Sequence, residues 1–166
     1  MINTAAPEPA TTAASSVASC PVGWGSLPKA GSSTILRTIG QLRAGQHDCY
    51  DRLVIDLDGA PVRYSVKYVS QFVNPNSGLP VALAGDGDIM ITLYAAPAGF
   101  PWVNRPPITP STYAGWKTFR DVKWASTFEG VTTIGLGVRA RLPMRVFTLT
   151  NTDGGARLVI DVAHHW

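Results

Sequence analysis

The sequence predicts an all-β protein: a sandwich of two antiparallel sheets, eight or nine strands in number, with one long Pro-rich loop. Three observations predict it. Hydrophobic residues make up 45% of the 166 residues and charged residues only 15%, with 16 Gly and 13 Pro, a composition of strands and turns. Short segments rich in Val, Ile and Thr alternate with period two and are separated by turn-forming clusters. Finally, Arg52-Leu53-Val54-Ile55-Asp56-Leu57 returns as Arg157-Leu158-Val159-Ile160-Asp161-Val162, differing only at the last position, which points to internal symmetry.

In chain order, residues 1–19 are Ala, Thr, Ser and Pro with one charge, Glu8, and are expected to form a flexible linker. Residues 20–166 are expected to be one domain, with its core over 36–166. Trp24, between two glycines, is expected to pack on the domain near Cys49. Leu36–Gln46 reads as a ragged first strand, and His47–Tyr50 as the turn into the first copy of the repeat. That copy alternates, with Leu53, Ile55 and Leu57 on one face and Arg52, Val54 and Asp56 on the other.

Gly59-Ala60-Pro61 ends the copy, and Val62–Phe72 alternates again. Asn74–Gly78 is a turn cluster. A short strand over Val81–Ala84 and the Gly85–Asp88 turn lead to a central strand, Ile89–Tyr94. The Gly-Asp-Gly-Asp turn lacks the ligand spacing of a calcium loop. Residues 95–117 form the long connection, with five prolines and the aromatic residues Phe100, Trp102, Tyr113 and Trp116. Such a loop either presents a binding platform or caps an open end of the sandwich.

Strands follow at Phe119–Ser126, Val131–Val138, Met144–Thr150 and Ala156–Val162, with a turn at Phe128-Glu129-Gly130. Gly135 and Gly137 share one face of their strand and leave it bare, so another backbone or a ligand is expected to lie close there. No segment reads as a helix, and no run of 18 apolar residues could span a membrane. The first 19 residues lack the basic and apolar regions of a signal peptide, so a leader or lipid anchor would have to lie upstream of Met1.

The net charge of +3 is too dilute for a nucleic-acid protein, whose Lys and Arg would cluster with stacking aromatics. The two cysteines, Cys20 and Cys49, lack metal-site spacing and are read as a disulfide formed in an oxidising compartment. Closing that loop contributes roughly 3–4 kcal/mol on a chain-entropy model.

Several of these segments together resemble the AMIN-like domain of secreted proteins and lipoproteins of actinobacteria. They are His47-Asp48-Cys49-Tyr50-Asp51-Arg52-Leu53-Val54-Ile55-Asp56, Phe128-Glu129-Gly130 with Gly135-Leu136-Gly137, Arg145-Val146-Phe147-Thr148-Leu149, and the closing Arg157–Val162. They occur in the right order over Leu36–Trp166. The resemblance implies a sandwich of two similar small sheets and a non-catalytic, extracytoplasmic module. AMIN domains sit beside cell-wall amidases and secretion pores and are taken to bind peptidoglycan. No amidase domain accompanies the module in this chain.

Binding is accordingly the expected activity, with a cell-wall polymer or an envelope protein as partner and no cofactor. Arg139, Arg141 and Arg145 bunch near one turn, and arginine forks suit the carboxylates and phosphates of wall polymers. Trp102 and Trp116 are candidate platform residues. Glu129 is expected to pair with one of the arginines. Two other functions fit less well: a protein-binding sandwich using the Pro-rich loop, and a small glycan hydrolase using Asp56 and Asp161 as a carboxylate pair. No serine has a nucleophile-elbow context. His47, His164 and His165 lack zinc-site spacing and are expected to be surface or locally bonded.

Overall fold

A computed structural model describes Cys20, residues 23–99 and residues 106–166. The expected linker over 1–19, and Phe100 and Trp102 of the Pro-rich loop, lie outside the described residues. The described chain forms ten strands: β1 (Lys29–Gly31), β2 (Arg37–Gln46), β3 (Tyr50–Leu57), β4 (Tyr64–Val69), β5 (Gly87–Leu93), β6 (Ala95–Pro97), β7 (Phe119–Phe128), β8 (Val131–Val138), β9 (Met144–Thr150) and β10 (Ala156–Ala163). One sheet has the order β1-β4-β5-β8-β7 and the other β6-β2-β3-β10-β9. Every pairing is antiparallel except that of β6 with β2.

The inward faces follow from the alternation. Leu53 and Ile55 on β3, Leu158 and Ile160 on β10, Ile89 and Ile91 on β5, and Ile134 and Leu136 on β8 are all fully buried. They form one core between the sheets, to which each such side chain contributes about 1.5–3 kcal/mol by leaving water. Ile108 and Tyr113, from the described part of the Pro-rich loop, join that core, so this stretch caps the sandwich.

The repeat sits differently from what two similar sheets would suggest. Its two copies, β3 and β10, are neighbours at the middle of one sheet and pair with each other antiparallel. Antiparallel pairing of two Arg-Leu-Val-Ile-Asp segments places the Arg of each opposite the Asp of the other, giving Arg52↔Asp161 and Asp56↔Arg157. The symmetry thus relates two strands and not two sheets.

Three local expectations are corrected. Val81–Ala84 is not a strand; it belongs to a strap over 70–86 that crosses the outer face of the β5-β8-β7 region, with a single bridge between Val73 and Pro80. Residues 95–97 of the expected loop form β6, because pairing beside β2 satisfies their backbone there. Glu129 makes no ion pair among the described residues; it occupies the left-handed turn position between β7 and β8, φ 49°, away from the arginines.

The strap explains the two-glycine face. Gly135 and Gly137 point outward from β8, and a Cβ at Gly137 would lie 2.1 Å from the Ala84 carbonyl oxygen. At Gly135 it would lie 2.5 Å from the Phe72 ring, which is fully buried beneath the strap. Polar bonds fasten the strap at intervals. Phe72 N–H donates to Asp88 (3.1 Å), Asn74 Nδ2 to the Ala125 carbonyl (3.0 Å), and Ala84 N–H to Asp121 (3.1 Å). Gly137→Ala is therefore expected to push the strap off and to cost about 1–3 kcal/mol in urea unfolding. An unchanged midpoint would show that the strap is not seated there.

Candidate functional site

With one sheet covered by the strap, the outer face of the other sheet carries the candidate side chains. Period-two alternation sends Tyr50, Arg52, Val54 and Asp56 of β3 outward, together with Arg157, Val159 and Asp161 of β10 and Arg145, Phe147 and Leu149 of β9. The register assembles them in rows: Arg145-Asp161-Arg52, then Phe147-Val159-Val54, then Leu149-Arg157-Asp56.

Asp161 is the hub of the first row. Its carboxylate is fully buried and receives a bidentate fork from Arg52, Nε to Oδ1 at 2.7 Å and Nη2 to Oδ2 at 2.9 Å. Arg145 Nε adds a third bond to Oδ2 at 2.8 Å. The hydrogen bonds to Asp161 hold the Arg52 guanidinium above the ordinary arginine value, against the opposing effect of its partial burial. Two guanidiniums on one carboxylate leave a net charge of +1 at this point.

Aromatic rings sandwich both cations. The Arg145 guanidinium lies 4.4 Å from the Trp24 ring centroid and 5.2 Å from those of Tyr50 and Phe147. Arg52 lies 5.2 Å from Tyr50 and 5.6 Å from Phe147. His47 stacks on Tyr50, with ring centroids 4.6 Å apart. Trp24 reaches this position because the Cys20–Cys49 disulfide ties its segment beside Tyr50, and because Met144 N–H donates to the Gly25 carbonyl (2.8 Å). The Arg145 side chain is 39% exposed, and its terminal Nη groups make no hydrogen bond among the described residues. A flat, cationic, ring-lined surface of this kind can take a carboxylate or phosphate on the free guanidinium edge and an apolar or sugar face on the rings.

The third row shows the symmetry broken. Asp56 turns away from Arg157 and takes a bidentate fork from Arg43, at 2.9 and 2.7 Å. That fork raises the Arg43 value, chiefly through its hydrogen bond. Arg157 consequently has its Nε buried without a hydrogen-bond partner. Both carboxylates of the suggested hydrolytic pair are thus each held by arginine, on one flat sheet face and not across a cleft.

The other candidates lie apart. Arg139 donates to the carbonyls of Lys117 and His164, and Arg141 to the hydroxyl (3.0 Å) and carbonyl (3.3 Å) of Ser26 while covering Tyr68 at 5.0 Å. The Nε and Nη2 donors of both are therefore engaged in joining chain segments, and only Arg145 of the three stands on the outer sheet face. Burial raises the Tyr68 phenol, which donates to the Leu142 carbonyl and accepts from its N–H. Trp116, half-buried, lines a shallow groove of about 580 Å³ with Pro110, Tyr113 and Arg120. A second groove, about 630 Å³, runs between Tyr68, Gln71, Ala82, Asp86 and Arg141.

One buried polar network escaped sequence reasoning. Asp51 is fully buried; its Oδ2 accepts the N–H groups of Thr118 and Phe119, both at 2.8 Å, and its Oδ1 lies 3.0 Å from His164 Nε2. His164 Nδ1 lies 3.1 Å from the Asp48 carbonyl, and the Thr118 hydroxyl donates to the Ala163 carbonyl. Thr118 is thereby tied as a hydroxyl donor to backbone, and the Asp–His pair serves as a latch between the end of β10 and the loop before β7. Only the closeness of His164 to the second repeat, and of Asp51 to the first, could have hinted at it. Among the described residues no group of three or more His, Cys, Asp or Glu is placed to hold a metal ion, and no helix is long and apolar enough to cross a membrane.

Residues 37–164 match the family model described as the AMIN-like domain. No curated protein and no solved structure matches the chain.

Proposed function

This chain belongs to the AMIN-like domain family, and from that premise we propose that it is a non-catalytic module of the cell envelope that binds an acidic wall polymer, peptidoglycan foremost. The observation that carries this reading is the free guanidinium edge of Arg145, held by Asp161 and bracketed by Trp24, Tyr50 and Phe147. Stem-peptide carboxylates suit the fork, and sugar rings suit the aromatic faces. The disulfide supports an extracytoplasmic location. The absence of catalysis is supported by Asp56 and Asp161, whose oxygens are occupied by arginines.

Co-sedimentation with insoluble peptidoglycan at low salt tests the proposal. The wild-type protein is expected in the pellet, and Arg145→Ala is expected to weaken binding about tenfold or more, since a charge-assisted fork contributes about 1.5–3 kcal/mol. Lys67→Ala, which removes an exposed cation from β4 in the opposite sheet, is expected to change nothing. Wild-type protein that stays in the supernatant, or equal loss in both variants, would overturn the assignment.

A further inference from the structure

The four sheet edges are not equally protected. β1 and β6 are three residues long, and β7 carries two register shifts that twist its edge. The fourth edge, β9, runs seven residues in unbroken register with β10. Beyond Arg145 its sequence, Val146-Phe147-Thr148-Leu149-Thr150, has no charge, no Pro and no Gly, and four of its five residues are β-branched or aromatic strand formers. Gly25 covers its first residue, Met144, and β1 approaches it, but along Val146–Thr150 no charge, Pro or bulge keeps it from pairing.

Three hydrogen bonds fix which backbone groups face outward. Asn151 N–H donates to the Gly155 carbonyl and Ala163 N–H to the Pro143 carbonyl, so odd-numbered residues point toward β10. Met144 N–H donates away from β10, to Gly25. Alternation then turns the N–H and C=O of Val146, Thr148 and Thr150 to the free side, and among the described residues these groups have no partner.

We propose that this edge pairs with the same edge of a second copy of the chain, antiparallel about Thr148. In that register Thr148 faces the partner's Thr148, and Val146 faces the partner's Thr150. The three outward-facing residues of each copy thus meet in pairs that exchange about six hydrogen bonds. Phe147 lies opposite the partner's Leu149 on the outer face, where Leu149 is exposed. Arg145 falls opposite the partner's Asn151, so no like charges meet. The contact is self-complementary and closes on a two-fold axis. It makes a ten-stranded sheet that carries two Arg145 sites on one face, six residues or about 20 Å apart along the strand direction.

Sedimentation equilibrium on the full chain, from about 5 to about 500 μM, reads the association in the range of weak small interfaces. The wild-type protein is expected to pass from monomer to dimer. Thr148→Lys, which puts a charge on the edge, is expected to raise the dissociation constant at least about tenfold. Thr150→Pro, at the strand end, removes one donor with little risk to the fold and is expected to act in the same direction. Hydrogen exchange is expected to show protection of the Val146, Thr148 and Thr150 amides rising with concentration, while Phe147 and Leu149, already bonded to β10, do not change. A wild-type monomer throughout, whether or not it captures an extended peptide, would overturn the proposal. So would a dimer indifferent to both variants, or one whose new protection falls on β7.

Discussion

Replacing Asp51 with Ala is expected to lower the unfolding free energy by about 3–5 kcal/mol, the usual cost of removing one partner from a buried charged network. The carboxylate is fully buried and accepts three donors, two of them the backbone N–H groups of Thr118 and Phe119. Ala leaves both amides and the His164 ring without that oxygen, and water would have to enter the end of the sandwich to replace it. Asp51→Asn retains the shape but keeps only one good acceptor, and is expected to cost about 1–3 kcal/mol. Urea unfolding followed by tryptophan fluorescence measures both. Equal midpoints for wild type and Asp51→Ala would mean that the latch between β10 and the loop before β7 does not hold in solution.

Asp161→Ala is expected to cost about 3 kcal/mol and, for a chain of this size, to lower the melting temperature by about 10 °C. The figure sits at the low end for a buried pair because Arg52 and Arg145 are 22% and 39% exposed and regain water when released. The functional effect is expected to be larger than the loss of stability suggests. Both arginines remain in Asp161→Ala, and the local charge rises, yet the hydrogen bond that aims Arg145 between Trp24 and Tyr50 is gone. If simple positive charge attracted the wall polymer, the variant would bind more tightly. If placement matters, it binds more weakly, and differential scanning calorimetry run beside co-sedimentation separates the two.

Alternation made the inward residues of β3, β5, β8 and β10 legible in the sequence, since burial of one sheet face imposes a period of two. The bare face of Gly135 and Gly137 was legible as a close approach, and the covering group is backbone and ring from the strap. Partner choice was not legible. The repeat announces two like strands, but whether they lie in one sheet or two depends on contacts spanning more than a hundred residues. β1 and β6 are too short to show a period, and they exist because a neighbour supplies hydrogen bonds. Arg145 was found as a basic residue near a turn, whereas its separation from Arg139 and Arg141 follows from the strand that begins at Met144 and carries it onto the outer face. The Asp51–His164 latch joins residues 113 apart and has no local signature.

The assignment of Arg145, Asp161 and their rings as the binding surface is tested most directly by titrating a soluble muropeptide with free carboxylates into labelled protein and following side-chain NMR signals. The Nε–H signals of Arg145 and Arg52 and the indole N–H of Trp24 are expected to shift together, with one saturation curve, and amidating the ligand's carboxylates is expected to weaken binding about tenfold. Shifts confined to the groove beside Trp116, or to the strap over β8, with Arg145 and Trp24 unmoved at saturation, would contradict it.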